Sequence, residues 1–194
     1  MRGTETAAPA IEAIEAIEST DTVSLCSLRA GAGLYGIDTR QIREVLGKTT
    51  PQCVPLAPGY IAGVVPYRGE VLTTLSFRAL LGLDLWPGVN CVLVLDDEEN
   101  GERFGLMVDG VGGVVTMAAD ALEANPAGLD ARSLALFEGA YRTAAGLMVR
   151  LEPKLLRPSR LAESGLFCDT KHGEMRHGGT KHGGPGYERQ GEHK

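Results

Sequence analysis

Along most of this chain, short β-branched or apolar runs alternate with Gly, Pro, Asp and Asn at intervals of about 8–15 residues, the pattern of small all-β barrels or sandwiches. It predicts strands near 22–29, 33–38, 51–54, 63–66, 70–75, 90–95, 103–109, 112–116, 141–143 and 145–151. The clearest hairpin joins Asn90–Leu95 to Arg103–Val108, with Asn100-Gly101 supplying the positive φ angles of a tight reversal. A second pairs Gly63–Pro66 with Glu70–Leu75 across Tyr67-Arg68-Gly69. Helical signals are few. Asp38 or Thr39 caps a predicted helix from Arg40 to Leu46, with Ile42, Val45 and Leu46 on one face and Gly47 as terminator. Ser76 caps Phe77–Leu81, ended by Gly82, and Pro153 opens a last helix to Leu161. The expected class is all-β with a few short helices, closed into barrels, because closure removes sheet edges that would pair with other chains.

Composition divides the chain into an arm (1–20), a folded body (21–167) and a tail (168–194). Ile11, Ile14 and Ile17 give the arm an apolar stripe too short to be a stable helix in water by itself. The tail repeats Thr170-Lys171-His172-Gly173 as Thr180-Lys181-His182-Gly183 and has almost no large apolar residues, so disorder is expected. No apolar run reaches the ~20 residues of a membrane span, and Ile11-Glu12-Ala13-Ile14-Glu15 is unlike a secretory leader. The expected compartment is therefore the cytoplasm. The four cysteines, Cys26, Cys53, Cys91 and Cys168, are isolated and expected to be reduced, with Cys26 and Cys91 in apolar runs. A net charge of −6 without a Lys/Arg block argues against nucleic acid.

All four histidines, His172, His177, His182 and His193, lie in the tail. The body therefore lacks the means for a Ser–His or Cys–His relay or a His-ligated catalytic metal, and no catalytic residue, metal or cofactor is expected. Val92-Leu93-Val94-Leu95-Asp96-Asp97-Glu98 looks like the first strand and acidic pair of a phosphoacceptor receiver domain, but a turn and second strand follow where that fold has a helix. Gly110-Val111-Gly112-Gly113 lacks the lysine and following helix of a phosphate cradle and reads as a flexible inter-strand bend.

Four strings then assemble into one pattern: Leu34-Tyr35-Gly36-Ile37-Asp38 with Ile42-Arg43-Glu44-Val45; Pro58 through Gly69-Glu70-Val71; Gly105-Leu106-Met107-Val108-Asp109-Gly110-Val111; and Leu151-Glu152-Pro153-Lys154-Leu155-Leu156. In order and spacing they resemble CheW-like domains across about residues 21–160. The resemblance implies two five-stranded SH3-like β-barrels packed together, and a non-catalytic adaptor between the cytoplasmic tip of chemoreceptors and the regulatory domain of a CheA-type histidine kinase. It implies partner-contact roles for Arg68, Glu44, Ile42 and Gly63. Arg68 is at a hairpin tip, where an arginine has no core role. The family usually has Asn-Leu-Arg-Gly where this chain has Pro66-Tyr67-Arg68-Gly69, which suggests a divergent paralogue. Two rival readings are a metal-delivery protein using the tail histidines and a small ligand-binding or catalytic barrel.

Overall fold

The computed structural model describes residues 21–84, 88, 90–97 and 101–167. The expectations for the arm, the tail and Cys168, and part of the Asp96–Gly101 turn, lie outside them. Strands β1 (Thr22–Ala30), β2 (Gly33–Asp38), β8 (Gly110–Ala118), β9 (Phe137–Thr143) and β10 (Gly146–Leu151) form one sheet in the order β8-β1-β2-β10-β9. Strands β3 (Ile42–Leu46), β4 (Ile61–Tyr67), β5 (Glu70–Ser76), β6 (Cys91–Asp97) and β7 (Glu102–Val108) form the other, ordered β3-β6-β7-β5-β4. Each sheet is antiparallel except for one parallel pair, β2 with β10 and β5 with β7.

The expected closure of the barrels is not carried by the strand ladders, since neither β8 with β9 nor β3 with β4 is paired. After β8 the chain reaches β9 through an isolated bridge between Glu123 and Ala140, with N–H···O distances of 2.9 and 3.0 Å. In the second sheet the ladder stays open between β3 and β4, and side chains span the gap, as described below. The all-β class with two five-stranded SH3-like units is thus present.

Strand alternation explains how the units are filled and joined. On β1, Val23 and Leu25 point into the first barrel with Tyr141 and Met148, while Cys26, Leu28 and Ala30 point to the second barrel. On β6, Val94 fills its own barrel with Val65, Leu72 and Tyr67, while Leu93 and Leu95 face the first. The result is a third and largest apolar cluster shared by the two, including Phe77, Phe104, Leu106, Leu136 and Leu151. At roughly 1.5–3 kcal/mol for each large side chain buried, this shared layer is the strongest tie between the barrels. A polar tie accompanies it at the crossover from β7 to β8, where Asp109 Oδ2 accepts from the Gly31 N–H at 2.7 Å and the Arg78 guanidinium at 2.6 Å. Gly31 follows β1 in the turn to β2 of the first barrel and Arg78 lies on α1 (Phe77–Leu80) beside the second, so one carboxylate spans both.

Several local expectations are corrected. The predicted helix Arg40–Leu46 is a 3-10 turn over Thr39–Gln41, capped by Asp38, followed by β3. The apolar spacing of Ile42, Val45 and Leu46 fits one helical face, but pairing with β6 prevails and suits β-branched side chains. The 51–54 strand reduces to a single bridge between Gln52 and Val64. The predicted bend at Gly110–Gly113 is the start of β8: Cys26 pairs with Val114 and Leu28 with Val111, so Gly112 and Gly113 form a bulge held by the Ser27 hydroxyl donating to Gly113 O at 2.8 Å. The last helix is two, α3 (Pro153–Leu156) and α4 (Pro158–Ser164), because Pro158 keeps Arg157 extended at ψ 133°. A short α2 (Ala131–Leu134) went unpredicted; Asp130 caps it. Ser76 caps α1 as expected, accepting from Ala79 N–H at 3.2 Å. Cys26, Cys53 and Cys91 are free thiols; Cys26 is buried, which pushes its thiol pKa up, Cys91 is half-buried, and Cys53 is exposed.

Candidate functional site

The interior columns of the second barrel continue outward into polar groups. Glu44 lies two residues before Leu46, Tyr67 two after Val65, Glu70 two before Leu72 and Asp96 two after Val94, so alternation brings all four to the same end of the barrel. There they meet arginines. Arg43 Nε lies 3.1 Å from Asp96 Oδ2, and Arg103 pairs with Asp96 at 3.1 Å and Glu70 at 3.4 Å. On the opposite rim Glu44 Oε2 accepts from the Tyr67 hydroxyl at 3.0 Å and from Arg68 Nη2 at 2.9 Å. The Arg68 guanidinium also sits 5.3 Å from the Tyr67 ring centroid. An apolar plug is therefore sealed by a crown of alternating charge.

Glu44 is on the edge strand β3 and Tyr67 and Arg68 are at the end of the opposite edge strand β4, so their bonds are the side-chain closure of the barrel. The Arg68 guanidinium, and after it the Tyr67 hydroxyl, hold the Glu44 carboxyl below its usual range. Burial, and after it the bond to Glu44, pushes the Tyr67 phenol up. The hydrogen bond to the Asp96 carboxylate raises the Arg103 pKa further. The Arg68 side chain is nevertheless 73% exposed. Water and salt screen such a pair, which contributes little to stability and leaves the guanidinium open to an exchange of partners.

The backbone at Arg68 carries a cost. Tyr67 pairs with Glu70, so Arg68-Gly69 is a two-residue turn with φ of 51° and 85°, the type I′ form that matches strand twist. Glycine or asparagine adopts that first position readily; an arginine there costs about 1 kcal/mol. The strained geometry projects Arg68 from the rim.

The four residues singled out from the sequence occupy different settings. Glu44 and Arg68 are bonded to each other. Ile42 starts β3 opposite Leu95, and the bulge between Ile42 and Glu44 turns it toward the shared apolar layer, where it is half-buried. Gly63 is buried with φ 140°, and a Cβ there would collide with the Gln52 carbonyl oxygen. Its close backbone approach is thus to the chain's own loop, through the Gln52–Val64 bridge. Tyr67, Arg43, Asp96, Arg103 and Glu70 were missed. For Tyr67 a signal existed, since a buried tyrosine needs a partner for its hydroxyl; the others required the strand register.

Comparison with known proteins decides the lineage. The family model described as "CheW-like domain" matches residues 24–158. The chain belongs to the CheW-like family. It is 30% identical over 103 residues to "Chemotaxis protein CheW" of Rhizobium meliloti (strain 1021), covering 53% of this chain and 66% of the relative. It is 20% identical over 136 residues to "Chemotaxis protein CheW" of Treponema pallidum (strain Nichols), covering 66% of this chain and 78% of that protein. The chain thus spans just under two thirds of the Rhizobium relatives it matches, at 66% of each. Its fold is similar to that of the crystal structure of scaffolding protein TtCheW from Thermoanaerobacter tengcongensis, with a TM-score of 0.61, 19% identity, and 68% of this chain and 90% of that chain covered. These comparisons give no support to the metal-delivery or ligand-barrel readings. Among the described residues no helix is long and apolar enough to cross a membrane.

Proposed function

We propose that this CheW-like chain is a non-catalytic adaptor, coupling chemoreceptors to a CheA-type histidine kinase in chemotaxis or a related chemosensory pathway. It works in the cytoplasm, at membrane-associated receptor arrays. The observation that carries this reading is the family match over residues 24–158, within which Arg68 stands exposed on a strained turn with its charge held by Glu44. In this reading the crown presents a preformed acid–base pair, and a partner carboxylate replaces Glu44 on the guanidinium. Ile42 adds an apolar contact beside it, and Gly63 positions the loop that flanks β4. Binding at two surfaces favours one arrangement of the receptor–kinase assembly and so shifts kinase output, with little change of shape in the adaptor itself.

The test is retention of the CheA regulatory domain and, separately, of a receptor cytoplasmic tip by the immobilised chain. The native chain is expected to hold both. Arg68→Ala should weaken one of them by about tenfold or more, the scale of a lost charge-assisted bond. Ile42→Asp should weaken capture as well, and deletion of residues 168–194 should leave it intact. Thermal melting separates loss of binding from loss of fold. Failure of the native chain to retain either partner overturns the reading.

A further inference from the structure

The first barrel has an opening whose lining includes no residue of the crown, and of its apolar walls only Val111 also packs against the shared layer. Its interior column on β1 runs Val23, Leu25, Ser27, Arg29: two large apolar side chains followed by a small polar one and a cation. On β10 the column runs from Met148 back to Gly146, which offers no side chain at all. The barrel interior therefore empties toward the β9–β10 turn, leaving a half-open cavity of about 430 Å³. Leu34, Val111, Val115 and Met148 give it apolar walls, and Ala144 and Ala145 stand at its lip. Arg29 is the single charged side chain in its lining, and its guanidinium has no hydrogen bond or ion pair among the described residues.

The polar groups of the lining define what would fit. The Ser27 hydroxyl already donates to Gly113 O at 2.8 Å, and the Thr143 hydroxyl donates to Gly146 O at 2.7 Å while accepting from the Ala145 N–H at 3.2 Å. Polar recognition is left to Arg29, which calls for one anionic group rather than a sugar or a polyol. The walls call for hydrocarbon. In the second barrel the corresponding arginines Arg43, Arg68 and Arg103 each have an acid of the same chain beside them; among the described residues Arg29 has none.

We propose that this cavity binds a small monocarboxylate with a compact apolar body, its carboxylate paired with Arg29 and its hydrocarbon filling the empty end of the barrel. The site is additional to the adaptor role and does not rest on it, since the crown belongs to the other barrel. Octanoate and octanol are the probes, titrated into the full chain by calorimetry and by amide shifts of residues 143–146. Octanoate should bind at least about tenfold more tightly than octanol, the gain of a bidentate charge-assisted pair. Arg29→Gln should abolish that preference, and Arg29→Lys should keep much of it. Ala144→Trp, at the exposed lip, should block both probes. The proposal is overturned if octanoate binds no better than octanol, if Arg29→Gln leaves the preference unchanged, or if Ala144→Trp leaves octanoate binding intact. Arg29 and Ala144 are both exposed, so neither variant endangers the fold.

Discussion

In the second barrel the interior columns run outward from Val94, Leu72 and Val65 into Asp96, Glu70 and Tyr67, whereas in the first they run from Val23 and Leu25 into Ser27 and Arg29. The strand plans are alike, with five strands and one parallel pair in each. What differs is the counter-ion. Where acids and arginines arrive together on neighbouring strands, they seal the barrel and leave an organised charged rim. Where a lone arginine arrives among small residues, the end stays open. A handful of side chains at barrel ends thus gives one scaffold two unlike surfaces, without any change in its ladders.

The largest effect that bears on this comparison comes from the layer the barrels share. Phe104 is fully buried there, and Phe104→Ala should cost about 4 kcal/mol, with both barrels unfolding in one urea transition followed by circular dichroism and tyrosine fluorescence. Two separated transitions would show instead that the barrels are independent units. Within the barrels the costs should diverge. Leu72→Ala opens a new hole in the filled barrel and should cost about 3 kcal/mol; Leu34→Ala enlarges a cavity already open to water and should cost about 1 kcal/mol. Equal losses would mean that the first barrel is as tightly filled as the second.

The smallest effect concerns the crown. Because Arg68 and Tyr67 hold the Glu44 carboxyl low, its contribution is fully present above the ordinary carboxylate range and is lost as pH falls through the depressed folded value. Carboxyl carbon shifts should give a Glu44 midpoint below that of a free glutamate. Arg68→Ala should raise the midpoint more than Tyr67→Phe does, since the guanidinium is the larger cause. A midpoint that ignores Arg68→Ala would remove the ion pair from the account.

Features set by neighbouring residues were legible in the sequence. The hairpin turning at Tyr67-Arg68-Gly69, which the structure tightens to Arg68-Gly69, the cap at Ser76, and Asp38, one of two candidate caps, depend on a few adjacent positions, although Asp38 caps a 3-10 turn and not the expected helix. The identity of β3 was not legible. Five residues with apolar groups at 42, 45 and 46 satisfy a helix as well as a strand, and the arbiter, β6, begins only at Cys91. The crown was hidden for a related reason. Its members are scattered from Arg43 to Arg103 and become neighbours only through register, so Glu44 and Arg68 drew notice from the family pattern while Asp96 passed as a turn acid. The cavity was invisible because it arises from what Gly146, Ser27 and the alanines at 144 and 145 fail to fill.

The ancestry of each barrel's strands along the chain sets a timetable for its birth. The second barrel is built from one continuous stretch, Ile42 to Val108, whereas the first needs β1 and β2 to meet β8 to β10. During synthesis the opening hairpin emerges first and waits, with Leu25 and Leu28 uncovered, while the inserted barrel assembles behind it. The inserted barrel then serves as the platform on which the returning strands dock, and translation that stalls before Gly110 leaves a nascent chain with a finished half and a sticky one.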